Sequence, residues 1–155
     1  MGVPDDWTPR LASAIAAALR EFSGSVLRGE PVAALDVGCF PWHGSVELSV
    51  LTAAALDADP ALAEPGEQAA WPHYDFAAGL PAWGPAAELG RRMAGAYRAA
   101  AEESRSAVAE AYLRACAAAV ASPQVRAALD ELRRDPRFRV SVAHPDDGRQ
   151  FWPPG

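Results

Sequence analysis

The spacing of apolar and polar positions changes period several times along the chain. From Val32 to Thr52 the period is two: Ala33, Leu35, Val37 and Cys39 fall on one side and Ala34, Asp36 and Gly38 on the other. After Pro41-Trp42-His43-Gly44, whose proline and glycine suit a chain reversal, Val46, Leu48 and Val50 resume the apolar phase opposite Glu47 and Ser49. This predicts a β-hairpin. Pairing Cys39 with Val46 sets Val37 against Leu48 and Leu35 against Val50, so the large apolar side chains share one face and Asp36 and Glu47 share the other.

Other stretches have helical spacing. Thr8-Pro9 suits a helix start, Leu11, Ile15, Leu19 and Phe22 draw one stripe, and Ser23-Gly24 suits its end. From Pro85 to about Ala121, Leu89, Met93, Tyr97, Val108, Tyr112, Cys116 and Val120 lie near one stripe, with only alanine apolar between Ala99 and Ala107, where a break near Ser104 is expected. Ser122-Pro123 starts a short helix carrying Val125, Ala128, Leu129 and Leu132. The stretch from Leu56 to Ala70, acidic and broken by Pro60, Pro65 and Gly66, reads mostly as loop. The aromatic run Trp71-Pro72-His73-Tyr74-Asp75-Phe76 has no helical period and is expected to cover an edge or face of the sheet.

Period two returns at the end of the chain. Phe138, Val140 and Val142 alternate with Arg139 and Ser141, His144 to Gly148 has turn chemistry, and Arg149 to Trp152 reads as a return strand that Pro153 stops. Two hairpins separated by helices predict one α+β domain over residues 1–155, an antiparallel sheet of about four strands with helices packed on one face.

Composition narrows the function. The formal charge of −6 disfavours nucleic acid, which needs a cationic field. The chain has no lysine, which removes Schiff-base chemistry and the phosphate-binding lysine of a P-loop. Abundant alanine, arginine, proline and glycine with no lysine or asparagine indicate a GC-rich genome, which weakens alanine as evidence for helix. No window is apolar enough for a membrane span, and the acidic, Pro-broken start is unlike a secretory signal, so a cytoplasmic protein without membrane contact is expected. Cys39 and Cys116 lie in different predicted elements and read as reduced, buried thiols.

No nucleotide, serine-hydrolase or classical zinc motif occurs. His43, His73 and His144 all fall in turns or loops, a set that zinc would accept only if the fold converged them, and their spacing is not that of ligands. Asp36 and Glu47 are near-diagonal neighbours on the polar face, with Arg139 on the polar phase of the third strand as their counter-ion; such a cluster binds a polar ligand or a partner's arginine. Every tryptophan lies within two residues of a proline, an arrangement for lids over a core, and Trp42 at the hairpin tip is the one expected to be exposed.

The segment Ala34 to Thr52 together with Trp71 to Phe76 resembles uncharacterised bacterial domains that place a Pro-Trp-His-Gly hairpin before a Trp-x-x-Tyr segment, some of which look like immunity or adaptor proteins encoded beside toxins. The resemblance implies a non-enzymatic domain that binds another protein, and the net charge of −6 favours a basic one. The binding residues expected are Asp36, Trp42, His43, Glu47 and Arg139, with no cofactor, metal or catalytic residue. The alternative is a small-molecule- or metal-binding enzyme domain using the histidines and carboxylates.

Overall fold

The computed structural model describes residues 2–155. Among them are five α-helices and three strands, in the order α1 (Trp7–Phe22), β1 (Val32–Phe40), β2 (Ser45–Thr52), α2 (Ala53–Ala58), α3 (Gly84–Ala99), α4 (Arg105–Val120), α5 (Pro123–Asp130) and β3 (Arg134–Ser141). The class is α+β, but the sheet has three strands, in the order β2-β1-β3, with β1 antiparallel to β2 and parallel to β3. The expected four-stranded antiparallel sheet is therefore corrected in both strand number and direction.

The first hairpin has the register its alternation predicts: Leu35 opposes Val50, Val37 opposes Leu48 and Cys39 opposes Val46. An irregularity between Val32 and Ala34 changes the phase before Leu35. Val32 thus joins the main core with Leu35, Val37 and Cys39, while Ala33, expected on that side, packs with Ala34 in a smaller cluster on the opposite face.

β3 enters beside the start of β1, where the Val32 amide donates to the Arg133 carbonyl at 2.8 Å. Helix α5, packed on α1, delivers the chain to that end of the sheet, and a strand entering there must run parallel to β1. Regular pairing covers only Ala34 with Arg139, Leu35 with Val140 and Asp36 with Ser141. The preceding Asp135-Pro136-Arg137 segment bulges away, the Asp135 carboxylate accepting the Arg137 amide at 2.9 Å. The predicted return strand reduces to one bridge, Ala143 with Gln150, plus the Phe151 amide donating to the Val142 carbonyl. Proline at 153 and 154 cannot supply donors for a longer ladder.

Helices α1, α3, α4 and α5 cover the Leu35 face of the sheet. Leu11, Ile15, Leu19 and Phe22 of α1 are buried, and the Trp7 indole donates to the Leu89 carbonyl at 3.0 Å. Helix α1 does not end cleanly at Ser23-Gly24: a π-helical turn, Ser23–Leu27, carries the chain on to bury Leu27 before Arg28 turns left-handed. The long helical region breaks between α3 and α4, around a 3-10 turn at Glu102–Ser104. Ser122 caps α5, its hydroxyl accepting the Val125 amide at 3.4 Å.

The opposite face is not left open. Helix α2, the 3-10 turn Pro60–Ala63 and Trp71 cover its Ala34 end, forming a second apolar cluster with Leu51, Leu56 and Leu62. The aromatic run then follows the outer edge of β2: the Val50 amide donates to the His73 carbonyl at 3.2 Å and the Phe76 amide to the Leu48 carbonyl at 2.9 Å. That edge is thereby closed.

Candidate functional site

Sheet pleating and the covering loops together leave a cleft of about 480 Å³ over the polar face. Its floor is Asp36 and Gly38 from β1, Glu47 and Ser49 from β2, and Arg139 and Ser141 from β3. These residues share a face because each stands one position along its strand from a residue on the core side, so the same alternation that turns Leu35, Leu48 and Val140 toward the core turns them the other way. The walls come from two loops, one carrying Gln68 and Tyr74, the other running from Ala143 to Gln150.

Asp36 is the best-buried charged residue of the cleft, only 9 % exposed. Its neighbours across the sheet are Ser49 on one side and Ser141 on the other, and the Gln68 amide donates to its Oδ1 at 3.3 Å. Burial pushes the carboxyl up to about 6; the Ser141 hydroxyl, the Gln68 amide and the more distant Arg139 charge pull it partly back, and Glu47 adds to the rise. Arg139 does not pair with it directly, since its guanidinium donates to the Ala63 carbonyl at 2.5 Å. At neutral pH the cleft floor therefore holds an ionised, desolvated carboxylate satisfied by neutral donors.

Glu47 is held differently. The Tyr74 hydroxyl donates to its Oε1 at 2.5 Å, and that bond to a carboxylate, ahead of burial, pushes the phenol up to about 12. Asp75, whose amide donates to the Ser49 hydroxyl at 2.9 Å, has its carboxyl raised by burial and then by Glu47. The cleft floor thus sets two carboxylates, Asp36 and Glu47, against one guanidinium, Arg139, with the Asp75 carboxylate outside it.

Of the five binding residues expected from sequence, Asp36, Glu47 and Arg139 meet in this cleft. Trp42 and His43 do not line it. His43 is exposed at the hairpin tip, but Trp42 is half-buried, with its indole 6.1 Å from the rings of both Tyr97 and His144. The tip is docked on α3: Gly44, at φ +73°, and Gly90 approach so closely that a Cβ on Gly90 would collide with the Gly44 carbonyl. The expected exposure of Trp42 is replaced by packing. The other four tryptophans are half-buried or buried, Trp71 with its indole donating to the Leu62 carbonyl at 2.8 Å.

The three histidines are dispersed. His144 sits at the cleft mouth, its Nδ1 accepting the Asp146 amide at 3.1 Å, whereas His73 lies against Phe22 on the far side of β2. Among the described residues no group of three or more His, Cys, Asp or Glu side chains is placed to hold a metal ion. Cys39 and Cys116 are neighbours in the core, with the Cys39 sulfur 3.6 Å from Met93 Sδ. Cys39 beside it and full burial hold the Cys116 thiol well above its ordinary value, which makes it a poor nucleophile.

Gln68, Tyr74 and Gln150 escaped the sequence reading because they reach the cleft from loops whose course no periodicity describes. The single available signal was the polar phase of the strands, which marks the floor but not the walls. Fold and cleft define a small α+β protein with an acidic recess on the sheet. The chain matches no protein-family model, no curated protein and no solved structure.

Proposed function

We propose that this protein is a non-enzymatic, cytoplasmic protein-binding domain, immunity- or adaptor-like, that receives a basic side chain of its partner in the sheet-face cleft. The observation that carries this reading is Asp36: a buried carboxylate, ionised at neutral pH, that faces a cleft and has no directly bonded cation. A guanidinium or ammonium entering the cleft would supply the charge its burial lacks, with Glu47 as a second acceptor and Ser49 and Ser141 as neutral ones. The acidic chain favours a basic partner at longer range as well.

Asp36 is also suited to proton transfer near neutral pH, which favours a small-molecule enzyme as the second reading. Binding is preferred because Glu47, the other carboxylate on the floor, is engaged by Tyr74 and not free to share the work.

The test is an amide-shift NMR titration of the full chain with N-acetyl-arginine amide at pH 7.5, with N-acetyl-glutamate amide as control. The arginine probe is expected to shift Gly38, Glu47, Ser49 and Ser141 saturably, with a dissociation constant on the order of millimolar for so small a fragment. Asp36→Asn should abolish those shifts. Shifts elsewhere, or equal shifts from both probes, would refute the reading.

A further inference from the structure

A second recess, of about 590 Å³, opens where the helix layer meets the free edge of β3. Val120 and Leu129 form its helix side, Phe138 and Val140 its sheet side, and Trp152 with the two prolines that follow closes it from outside. Phe138, Val140 and Trp152 are all half-buried, so their apolar surface is only partly used by the core.

The outer wall is anchored. The Phe151 amide donates to the Val142 carbonyl at 2.7 Å, and the Gln150 side-chain oxygen accepts from the amides of Val142 at 2.6 Å and Trp152 at 3.3 Å. The Phe151 ring lies under two guanidinium groups, Arg149 at 5.2 Å and Arg114 at 5.5 Å. The tail thus holds Trp152 at the recess through backbone and side chain alike.

Charge at this recess runs against the rest of the chain. Arg126 of α5 and Arg134 and Arg139 of β3 line it, against one carboxylate, Asp130. Asp130 pairs with Arg134 at 3.0 Å, and Arg139 reaches over the edge to Ala63. Arg126 is exposed and makes no ion pair among the described residues. A protein of net charge −6 thus carries, even leaving aside Arg139, which also borders the acidic cleft, a local excess of one positive charge beside an aromatic-walled hollow.

We infer that this recess is a binding site for a small aromatic carboxylate, its ring between Phe138 and Trp152 and its carboxylate on Arg126. The volume lies in the range of small-molecule sites. Flat apolar walls favour an aromatic body, and a guanidinium fork matches a carboxylate in two parallel hydrogen bonds. One anionic group is favoured over several, because the overall negative field of the chain opposes a polyanion. The acidic cleft lies on the other face of the sheet and favours charge of the opposite sign; the two recesses share only Arg139, whose guanidinium is engaged by the Ala63 carbonyl, so the anion falls to Arg126.

The probe is 2-naphthoate, titrated into the full chain by calorimetry and amide-shift NMR, with neutral 2-naphthalenemethanol and with acetate as comparisons. Naphthoate should shift Leu129, Phe138, Val140 and Trp152 and bind about tenfold more tightly than the alcohol, the size of one charge-assisted pair. Acetate should not bind measurably. Arg126→Gln, at an exposed position with no structural contact to lose, should bring naphthoate down to the affinity of the alcohol and leave the alcohol unchanged, while Arg126→Lys recovers part of the difference. Equal affinity for naphthoate and alcohol in the wild type, indifference to Arg126→Gln, or shifts at Gly38 and Ser49 in place of Phe138 and Trp152 would overturn the assignment.

Discussion

Replacing Asp36 by asparagine isolates the energetic consequence of burying a carboxylate on the cleft floor. Asparagine has nearly the same shape and keeps a side-chain oxygen for the Gln68 amide, so packing changes little. The folded carboxyl titrates at about 6, whereas the unfolded one should titrate near the ordinary aspartate value of about 3.9. Below about pH 4 both states are protonated and burial costs no charge. Between about 4 and 6 the native state keeps a proton that the unfolded state has released, so wild-type stability falls as pH rises; above about 6 both are ionised and the loss is complete. A gap of about two pH units, each worth about 1.4 kcal/mol, makes the loss about 3 kcal/mol. The asparagine variant has no such term. Denaturant unfolding of both proteins from pH 4 to 8 should show the variant gaining on wild type by about 2 kcal/mol between pH 4 and 7, the remainder of the loss falling below pH 4, with contributions from groups remote from Asp36 cancelling in the difference. A difference constant across that range, or one that moves in favour of wild type with rising pH, would refute the assignment of Asp36 as a desolvated carboxylate.

Three further outcomes follow from the packing. Gly90→Ala should cost about 1–3 kcal/mol in chemical denaturation because its methyl group meets the Gly44 carbonyl, whereas Gly95→Ala, on the same helix with no other atom within 4 Å of the new methyl, should be neutral or stabilising by up to about 1 kcal/mol. Trp42→Ala should lower stability by about 1–3 kcal/mol through lost contact with Tyr97 and His144; an unchanged melting temperature would mean the hairpin tip is free of α3. Neither thiol should react with a disulfide reagent in the native protein, and both should react on unfolding; rapid native labelling of either would contradict their complete burial.

The features legible in sequence are those set by local pattern. Leu35, Val37, Cys39, Val46, Leu48 and Val50 alternate around a short reversal, and a register slip of one residue would expose them all, so their pairing could be read directly. The direction of β3 could not. Arg139-Val140-Ser141 has the same alternation whether it runs parallel or antiparallel to β1, and what decides is the end of the sheet to which α5 delivers the chain. The docking of the hairpin on α3 was likewise hidden, because Gly44 and Gly90 meet only in the folded molecule, although a glycine beside Leu89 inside a helical stripe is the usual trace of such a close approach. For the cleft the division is similar. Asp36, Glu47 and Arg139 stand on a phase that can be counted, while Gln68, Tyr74 and Gln150 come from loops, and it is these loops that turn an open polar face into an enclosed one and so raise the Asp36 carboxyl.

If Asp36 receives a cation from a partner in the cleft, its own titration shows it most directly. Carbon-13 NMR of the Asp36 side-chain carboxyl should give a midpoint near 6 in the free protein, with Glu47 and Arg139 as the charged groups that face it. Saturating N-acetyl-arginine amide should move that midpoint downwards, because a ligand that prefers the ionised form stabilises it by linkage. A midpoint near 4 in the free protein, or one that stays in place when the arginine probe is added, would contradict the account.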